Sequence, residues 1–224
     1  MSLAPGLLAP GRERDATRYA IAGAAPRTAL RPESQEEAAE VVRACSHDRL
    51  ALVPWGSGIG LAGEPSAPAR YDVALDLSGL ARVVHYEADD FTVTAECGVT
   101  LESLRAALEA HGQELPLEAG GAPGVSPTLG GVLACNAGGP RRLRLGAPRD
   151  RILGACFVTG DGVLARTGGR VVKNVAGHAV HRLLVGSRGG LGVLLEASLK
   201  LLPGPPARRA LVAGLDAGAL ADPA

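Results

Sequence analysis

The chain has 224 residues, 23 of them basic and 23 acidic, so its formal net charge is zero. That balance argues against nucleic acid or an anionic membrane as the main partner and leaves any bound phosphate to local donors. With 46% hydrophobic residues against 31 glycines and 16 prolines, the chain is loop-rich yet able to bury a core, as one large domain or two small lobes.

Residues 1–20 read as a loose lead-in, with Arg12, Glu13, Arg14 and Asp15 where a secretory signal would need an apolar stretch. Ser34 opens a helix. Glu37, three positions on, completes a capping box, and Ala38, Val41, Val42 and Cys45 follow at helical spacing. Leu50–Val53 is a short strand running into Pro54-Trp55-Gly56-Ser57-Gly58-Ile59-Gly60, and further strands are predicted over Asp72–Leu77, Arg82–His85 and Phe91–Cys97. Gly98 ends the last of these, and Thr100 caps a helix to about Ala110 with Leu101, Leu104, Ala107 and Leu108 as its apolar stripe and Gly112 as its stop. Arg151–Thr159 is a strand, Asp161-Gly162 a hairpin turn, and Val163–Arg166 the return. Val180–Val185 is a short helix, Leu191–Leu202 an apolar strand that Pro203 terminates, and residues 203–224 trail off in Ala, Pro and Gly. No run approaches the ~20 apolar residues of a membrane span. Mixed elements first and hairpins later predict an α+β fold: a mixed α/β N-terminal lobe, a mainly antiparallel-sheet second lobe, and a ligand crevice between them.

The glycines carry the functional message. Gly58, Gly60 and Gly63 fit a G-x-G-x-x-G pattern, but Pro65 and Pro68 follow too closely for the helix that a dinucleotide fold of the doubly wound type requires. The loop is expected to bind phosphate through consecutive backbone amides, or to be a plain tight turn. Downstream, Pro127 and Thr128 start a helix inside the glycine-dense stretch 120–146. A helix start there offers unpaired N–H groups and a positive dipole end, Thr128 adds a hydroxyl, and Gly130 and Gly131 remove side chains that would block a ligand. Close helix–sheet packing is the other use of such glycines.

The catalytic inventory is thin. Cys45, Cys97, Cys135 and Cys156 form no Cys-x-x-Cys and fit free thiols in a reducing cytosol. His47, His85, His111, His178 and His181 have no metal-ligand spacing; the pair His178 and His181 fits a helix surface. No metal site and no catalytic residue is assigned. Lysine occurs only at Lys173 and Lys200, which marks the run Val172-Lys173-Asn174-Val175-Ala176-Gly177 as one to watch.

Taken in order, Val53-Pro54-Trp55-Gly56-Ser57-Gly58, Gly112-Gln113-Glu114-Leu115-Pro116, Pro127-Thr128-Leu129-Gly130-Gly131 with Asn136-Ala137-Gly138-Gly139, the lysine-containing run, and Gly186-Ser187-Arg188-Gly189-Gly190-Leu191-Gly192-Val193 resemble a known family. It is the FAD-binding domain of the vanillyl-alcohol-oxidase and p-cresol-methylhydroxylase (PCMH) type, and within it the FAD-binding subunit of bacterial glycolate oxidases. The resemblance implies a lead-in at 1–24, a PCMH-type FAD-binding domain at 25–204 and a short C-terminal remnant at 205–224, with the family's substrate cap domain absent. It implies FAD as cofactor. Gly56, Ser57 and Gly58 would wrap the diphosphate, Thr128 and Gly131 would contact it or the ribityl chain from the other side, and Pro54, Trp55, Ile59, Gly60, Pro127 and Gly130 would be further cofactor-binding residues. Pro116, Asn136, Gly138 and Gly139 would lie near the flavin, and Gly192 and Val193 near the adenine. Covalent members use a histidine in the first loop; Ser57 and Ile59 stand here, so non-covalent FAD is expected. His178 and Ala179 stand where the family has a tyrosine and an acid. The implied activity is oxidation of a 2-hydroxy acid to a 2-oxo acid. The implied partners are a larger FAD-containing subunit and an iron–sulfur subunit, in the cytoplasm or held at the inner membrane through those partners, without membrane insertion of this chain. The same module also fits a reductase resembling UDP-N-acetylenolpyruvoylglucosamine reductase, or a non-catalytic flavin-binding or assembly module.

Overall fold

The longer helices begin where a hydroxyl can close the first turn. In the computed structural model, which describes residues 8–61, 70–120, 124–170, 178–207 and 209, helix α1 spans Gln35–Asp48 and the Ser34 hydroxyl accepts from the Glu37 amide at 3.1 Å. The reciprocal capping bond lands one residue further out: the Glu37 carboxylate accepts from the Glu33 amide at 2.8 Å and also holds Arg12 at 3.1 Å. Helix α2 spans Leu101–Glu109, capped by Thr100, and buries Leu101, Leu104 and Leu108, each worth about 1.5–3 kcal/mol. Ala107, expected in that stripe, faces solvent. Helix α3 covers Leu129–Cys135; short helices α4 (Arg142–Leu145), α5 (Pro148–Arg151) and α6 (Val180–Leu184) follow.

Strands β1 (Glu13–Arg14), β2 (Thr28–Leu30), β3 (Leu52–Trp55) and β4 (Val73–Asp76) form one sheet in the order β1-β2-β4-β3, parallel except for β1. The lead-in is therefore not loose. Glu13 and Arg14 pair with β2, Arg12 ties to Glu33 and Glu37, and the buried Tyr19 hydroxyl donates to Asp76 at 2.8 Å. Strands β5 (Val83–Glu87), β6 (Thr92–Glu96), β7 (Gln113–Glu114), β8 (Ile152–Val158), β9 (Leu164–Gly168), β10 (Val193–Lys200) and β11 (Leu202–Pro203) complete the set. Five of them make an antiparallel sheet ordered β5-β6-β10-β8-β9, while β7 and β11 pair separately. The second sheet thus borrows β5 and β6 from the first half of the chain.

One apolar cluster joins α1 to both sheets: Val41, Val42 and Cys45 pack with Leu75 of β4 and with Val158, Val193 and Leu195 of the large sheet. A second fills the other face of the large sheet under α2, α3 and α6, including Leu104, Leu133 and Leu184. The β6–β10 register sets Glu96 opposite Glu196, which like charges disfavour. Each has its own cation: Arg82 reaches the buried Glu96 at 2.7 Å, and Arg166 reaches Glu196 at 3.3 Å.

Candidate functional site

Strand β3 lies at the edge of its sheet, where Pro54 costs no ladder hydrogen bond, and it delivers the chain straight into the first glycine loop. A Cβ on Gly56 would stand 2.1 Å from the Thr128 Oγ1, one on Gly58 2.9 Å from the Trp55 ring, and one on Gly60 2.7 Å from the Cys135 Sγ. The loop is threaded so closely between these three side chains that it has room for none of its own at those positions. Gly58 also holds φ +78°, the left-handed region. The amides of Gly56, Ser57 and Gly58 donate to no other described backbone group, which leaves them for a ligand.

The second glycine region works differently from the expectation. At the start of α3 the Leu129 amide donates to the Val99 carbonyl at 2.8 Å and the Gly130 amide to the Cys97 carbonyl at 2.7 Å. The Gly131 amide donates to the Thr128 hydroxyl oxygen at 3.3 Å. This helix start is not a set of unpaired donors, because its first turn is stitched to the residues that follow β6. Gly130 makes that approach feasible: a Cβ there would lie 2.9 Å from the Cys97 Cβ and carbonyl oxygen.

A third segment closes the cradle. The Gly186 amide donates to the Leu133 carbonyl at 3.0 Å and the Arg188 amide to the Ala134 carbonyl at 2.9 Å, so the turn into β10 hangs from the last turn of α3. A Cβ on Gly189 would sit 3.0 Å from the Pro54 ring, which brings this turn against β3.

Between the three segments lies a cavity of about 290 Å3 lined by Pro54, Trp55, Gly56, Ser57, Gly58, Gly60, Thr128, Gly130, Gly131, Gly192 and Val193 from the expected set. Cys97, Cys135, Ser187, Arg188, Gly189 and Gly190 line it as well. Gly189 and Gly190 stand in the motif quoted for the resemblance, and that Gly-Gly pair was the available signal; Cys97 and Cys135 had none. A further cavity of about 240 Å3 shares Leu52, Pro54, Gly189, Gly190, Gly192 and Val193 and continues towards Cys45 and Thr159.

Asn136, Gly138 and Gly139 line a separate, more open cavity of about 750 Å3 with Arg105, Glu118 and Arg142. Ile59, Pro116 and Pro127 line none of these cavities. Pro116 is buried, and the Pro127 carbonyl instead accepts from the Leu101 amide at 2.8 Å, joining α2 to α3. The run from Val172 to Gly177, with Lys173, lies outside the described residues.

None of the four cysteines is in a disulfide. Burial pushes the Cys45 thiol up to about 11 and raises Cys97 and Cys156 as well, so none of these three is a thiolate nucleophile at neutral pH. His181 is not a surface residue. It is 7% exposed, its Nδ1 has no hydrogen-bond partner among the described residues, and burial, helped by Arg182, lowers its pKa. Packing of α6 against β8 and β9 draws its ring inward.

A family model described as an FAD binding domain matches residues 26–168. The chain belongs to this FAD-binding family. It is 41% identical over 175 residues to the glycolate oxidase subunit GlcE of Escherichia coli (strain K12), covering 77% of this chain and 48% of that protein. It is 34% identical over 189 residues to the glycolate oxidase subunit GlcD of Bacillus subtilis (strain 168), covering 84% of this chain and 39% of that one. A D-2-hydroxyglutarate dehydrogenase of Xanthomonas citri pv. viticola is 35% identical, covering 82% of this chain and 38% of that enzyme. The chain thus spans less than half the length of these relatives. Among solved structures, an alkyldihydroxyacetonephosphate synthase superposes with a TM-score of 0.66 at 24% identity, over 82% of this chain and 33% of that one, which establishes the shared PCMH-type fold. No described helix is long and apolar enough to cross a membrane.

FAD is the cofactor of this family, and the residues present fit it. A flavin dinucleotide needs a passage with little side-chain bulk for its diphosphate and with amide donors facing it. The first loop supplies the free amides, and the glycines at 56, 58, 60, 189 and 192 supply the bare backbone.

Proposed function

We propose that this chain is the FAD-holding unit of a flavin-dependent oxidoreductase that converts a 2-hydroxy acid to a 2-oxo acid, of the glycolate oxidase type. The observation that carries the proposal is the convergence of the first loop, the start of α3 and the turn into β10 on one cavity whose unpaired donors are main-chain amides. In this reading the FAD-binding unit runs over 25–204. The amides of Gly56, Ser57 and Gly58 hold the diphosphate, and the cavity shared by Gly189, Gly190, Gly192 and Val193 takes the adenosine end. Asn136, Gly138 and Gly139 flank the flavin ring. Charge-assisted hydrogen bonds of this kind contribute about 1.5–3 kcal/mol each, enough together for tight binding without a covalent link. Bound FAD supplies a two-electron acceptor; the protein positions it and keeps water from its diphosphate.

The similarity to GlcE and GlcD supports a working assembly with a larger FAD-containing subunit. An iron–sulfur subunit would carry electrons onward, and such partners would also set whether the chain sits free in the cytoplasm or at the inner membrane. Two measurements test the proposal. The purified chain, incubated with FAD and passed through gel filtration, carries a flavin spectrum, and acid precipitation releases the flavin into the supernatant. A colourless protein would overturn the cofactor assignment; flavin retained in the pellet would overturn the non-covalent one. In co-purified complex, D-lactate or glycolate bleaches the flavin band without oxygen, whereas an unbleached band with both would overturn the 2-hydroxy acid chemistry.

A further inference from the structure

The open cavity beside Asn136–Gly139 is lined by three charged side chains, Arg105, Glu118 and Arg142, against one, Arg188, among the described lining of the diphosphate cradle. Two guanidinium groups border it. Arg142 lays its stem along Gly138, with Cδ 3.5 Å and Nε 3.8 Å from where a Gly138 Cβ would be, and its side chain makes no ion pair or hydrogen bond among the described residues. Arg105 has one long hydrogen bond, to the Leu117 carbonyl at 3.4 Å. The cavity's carboxylate, Glu118, is already engaged: it accepts from the Arg141 amide at 3.2 Å and lies 3.6 Å from the Arg141 Nε. Neutral donors stand free as well. The Gly138 and Gly139 amides donate to no described backbone group. The Asn136 Oδ1 accepts from the Arg149 amide at 3.3 Å, which turns its NH2 to other use.

We infer that Arg105 and Arg142, with the amides of Gly138 and Gly139, form a binding subsite for the carboxylate of a small 2-hydroxy or 2-oxo acid. The guanidinium fork matches a planar carboxylate. Arg141 is shared between Glu114 at 2.6 Å and Glu118 at 3.6 Å, so Arg105, Arg141 and Arg142 together set three cations against two carboxylates, and the surplus positive charge favours an anion. The assignment of the ligand as substrate rests on the proposed function, which sets the flavin ring against the same Asn136–Gly139 segment; the anion-receiving geometry stands without it. Arg105 and Arg142 act here as specificity-determining residues that orient the acid, not as proton acceptors.

The test uses the full chain without flavin. Oxalate, a two-carbon dicarboxylate, is titrated while the Gly138 and Gly139 amide resonances and the heat of binding are followed, with phosphate and chloride at matched ionic strength as controls. The expected result is an oxalate-specific shift of both amides, at least tenfold weaker binding in Arg142→Met, which keeps the stem against Gly138, and no binding in the Arg105→Met/Arg142→Met double variant. FAD affinity, measured separately, stays within twofold in Arg142→Met. If that variant unfolds, Arg142→Lys replaces it, and weakening of at least threefold is expected because charge remains while the fork is lost. Unchanged oxalate binding in the double variant overturns the subsite, as does equal binding of phosphate or chloride. Loss of FAD binding in Arg142→Met would reassign the arginine to the cofactor. If the wild-type chain binds oxalate in this way but takes up no FAD, the subsite stands and the flavin reading falls.

Discussion

The two glycine-rich segments look alike as sequence and do opposite jobs. In the loop after β3, the glycines at 56, 58 and 60 let the backbone pass between Trp55, Thr128 and Cys135 with its amides unspent. At the start of α3, Gly130 lets the backbone press on Cys97, and the amides are used up on the carbonyls of Cys97 and Val99. The first segment presents donors; the second fixes the wall that they face. Glycine content alone marks a close approach, and only the partner atoms decide whether it is to a ligand or to the protein's own chain.

The largest effect that separates them is expected at Gly130. Gly130→Ala places a methyl 2.9 Å from the Cys97 Cβ and carbonyl oxygen, so α3 must move off β6 at a cost of roughly 1–3 kcal/mol, read as a lower urea midpoint with unchanged m-value. If the midpoint holds, α3 is not packed as described. Gly56→Ala comes next, and mainly in affinity. Its Cβ meets Thr128 Oγ1 at 2.1 Å, and the displaced loop should bind FAD at least about tenfold more weakly by fluorescence titration, or about 1.4 kcal/mol. Adding Thr128→Ala relieves the clash and should restore part of that affinity; no recovery would place the damage elsewhere.

Smaller effects sharpen the contrast. Thr128→Ala alone removes the cap oxygen of α3 and should cost about 1 kcal/mol of stability in a denaturant titration. Ser57→Ala leaves the amide in place, so FAD affinity should change by no more than about threefold; a larger loss would mean that the hydroxyl, not the main chain, holds the ligand. Away from the site, Cys45 offers a pH test. Its thiol rises from the ordinary 9.0 to about 11 through burial, so the folded state binds that proton more tightly than the unfolded one. Its contribution is whole below pH 9 and fades as pH climbs to about 11. Cys45→Ala should flatten that decline in a pH series of unfolding curves.

Much of the fold was legible in local chemistry. Ser34, Thr100 and Thr128 marked helix starts, Asp161-Gly162 a hairpin, and the alternating and apolar runs the strands, because caps, turns and burial periodicity act within a few residues. The first loop and Thr128 were likewise legible as glycine-bared segment ends, and the structure brings them to the lining of one cavity. What lay beyond the sequence was every feature set by distant partners. The lead-in looks loose until β1 finds β2 and Tyr19 finds Asp76. His181 looks like surface until α6 turns it against the sheet. Nothing local marks Pro116 as buried or the Pro127 carbonyl as the link between α2 and α3. By itself the sequence determined where the backbone is bare, where helices start and which segments are apolar. Only the tertiary structure decided which bare amides stay unpaired, because a donor is free or spent according to carbonyls that arrive from elsewhere in the chain.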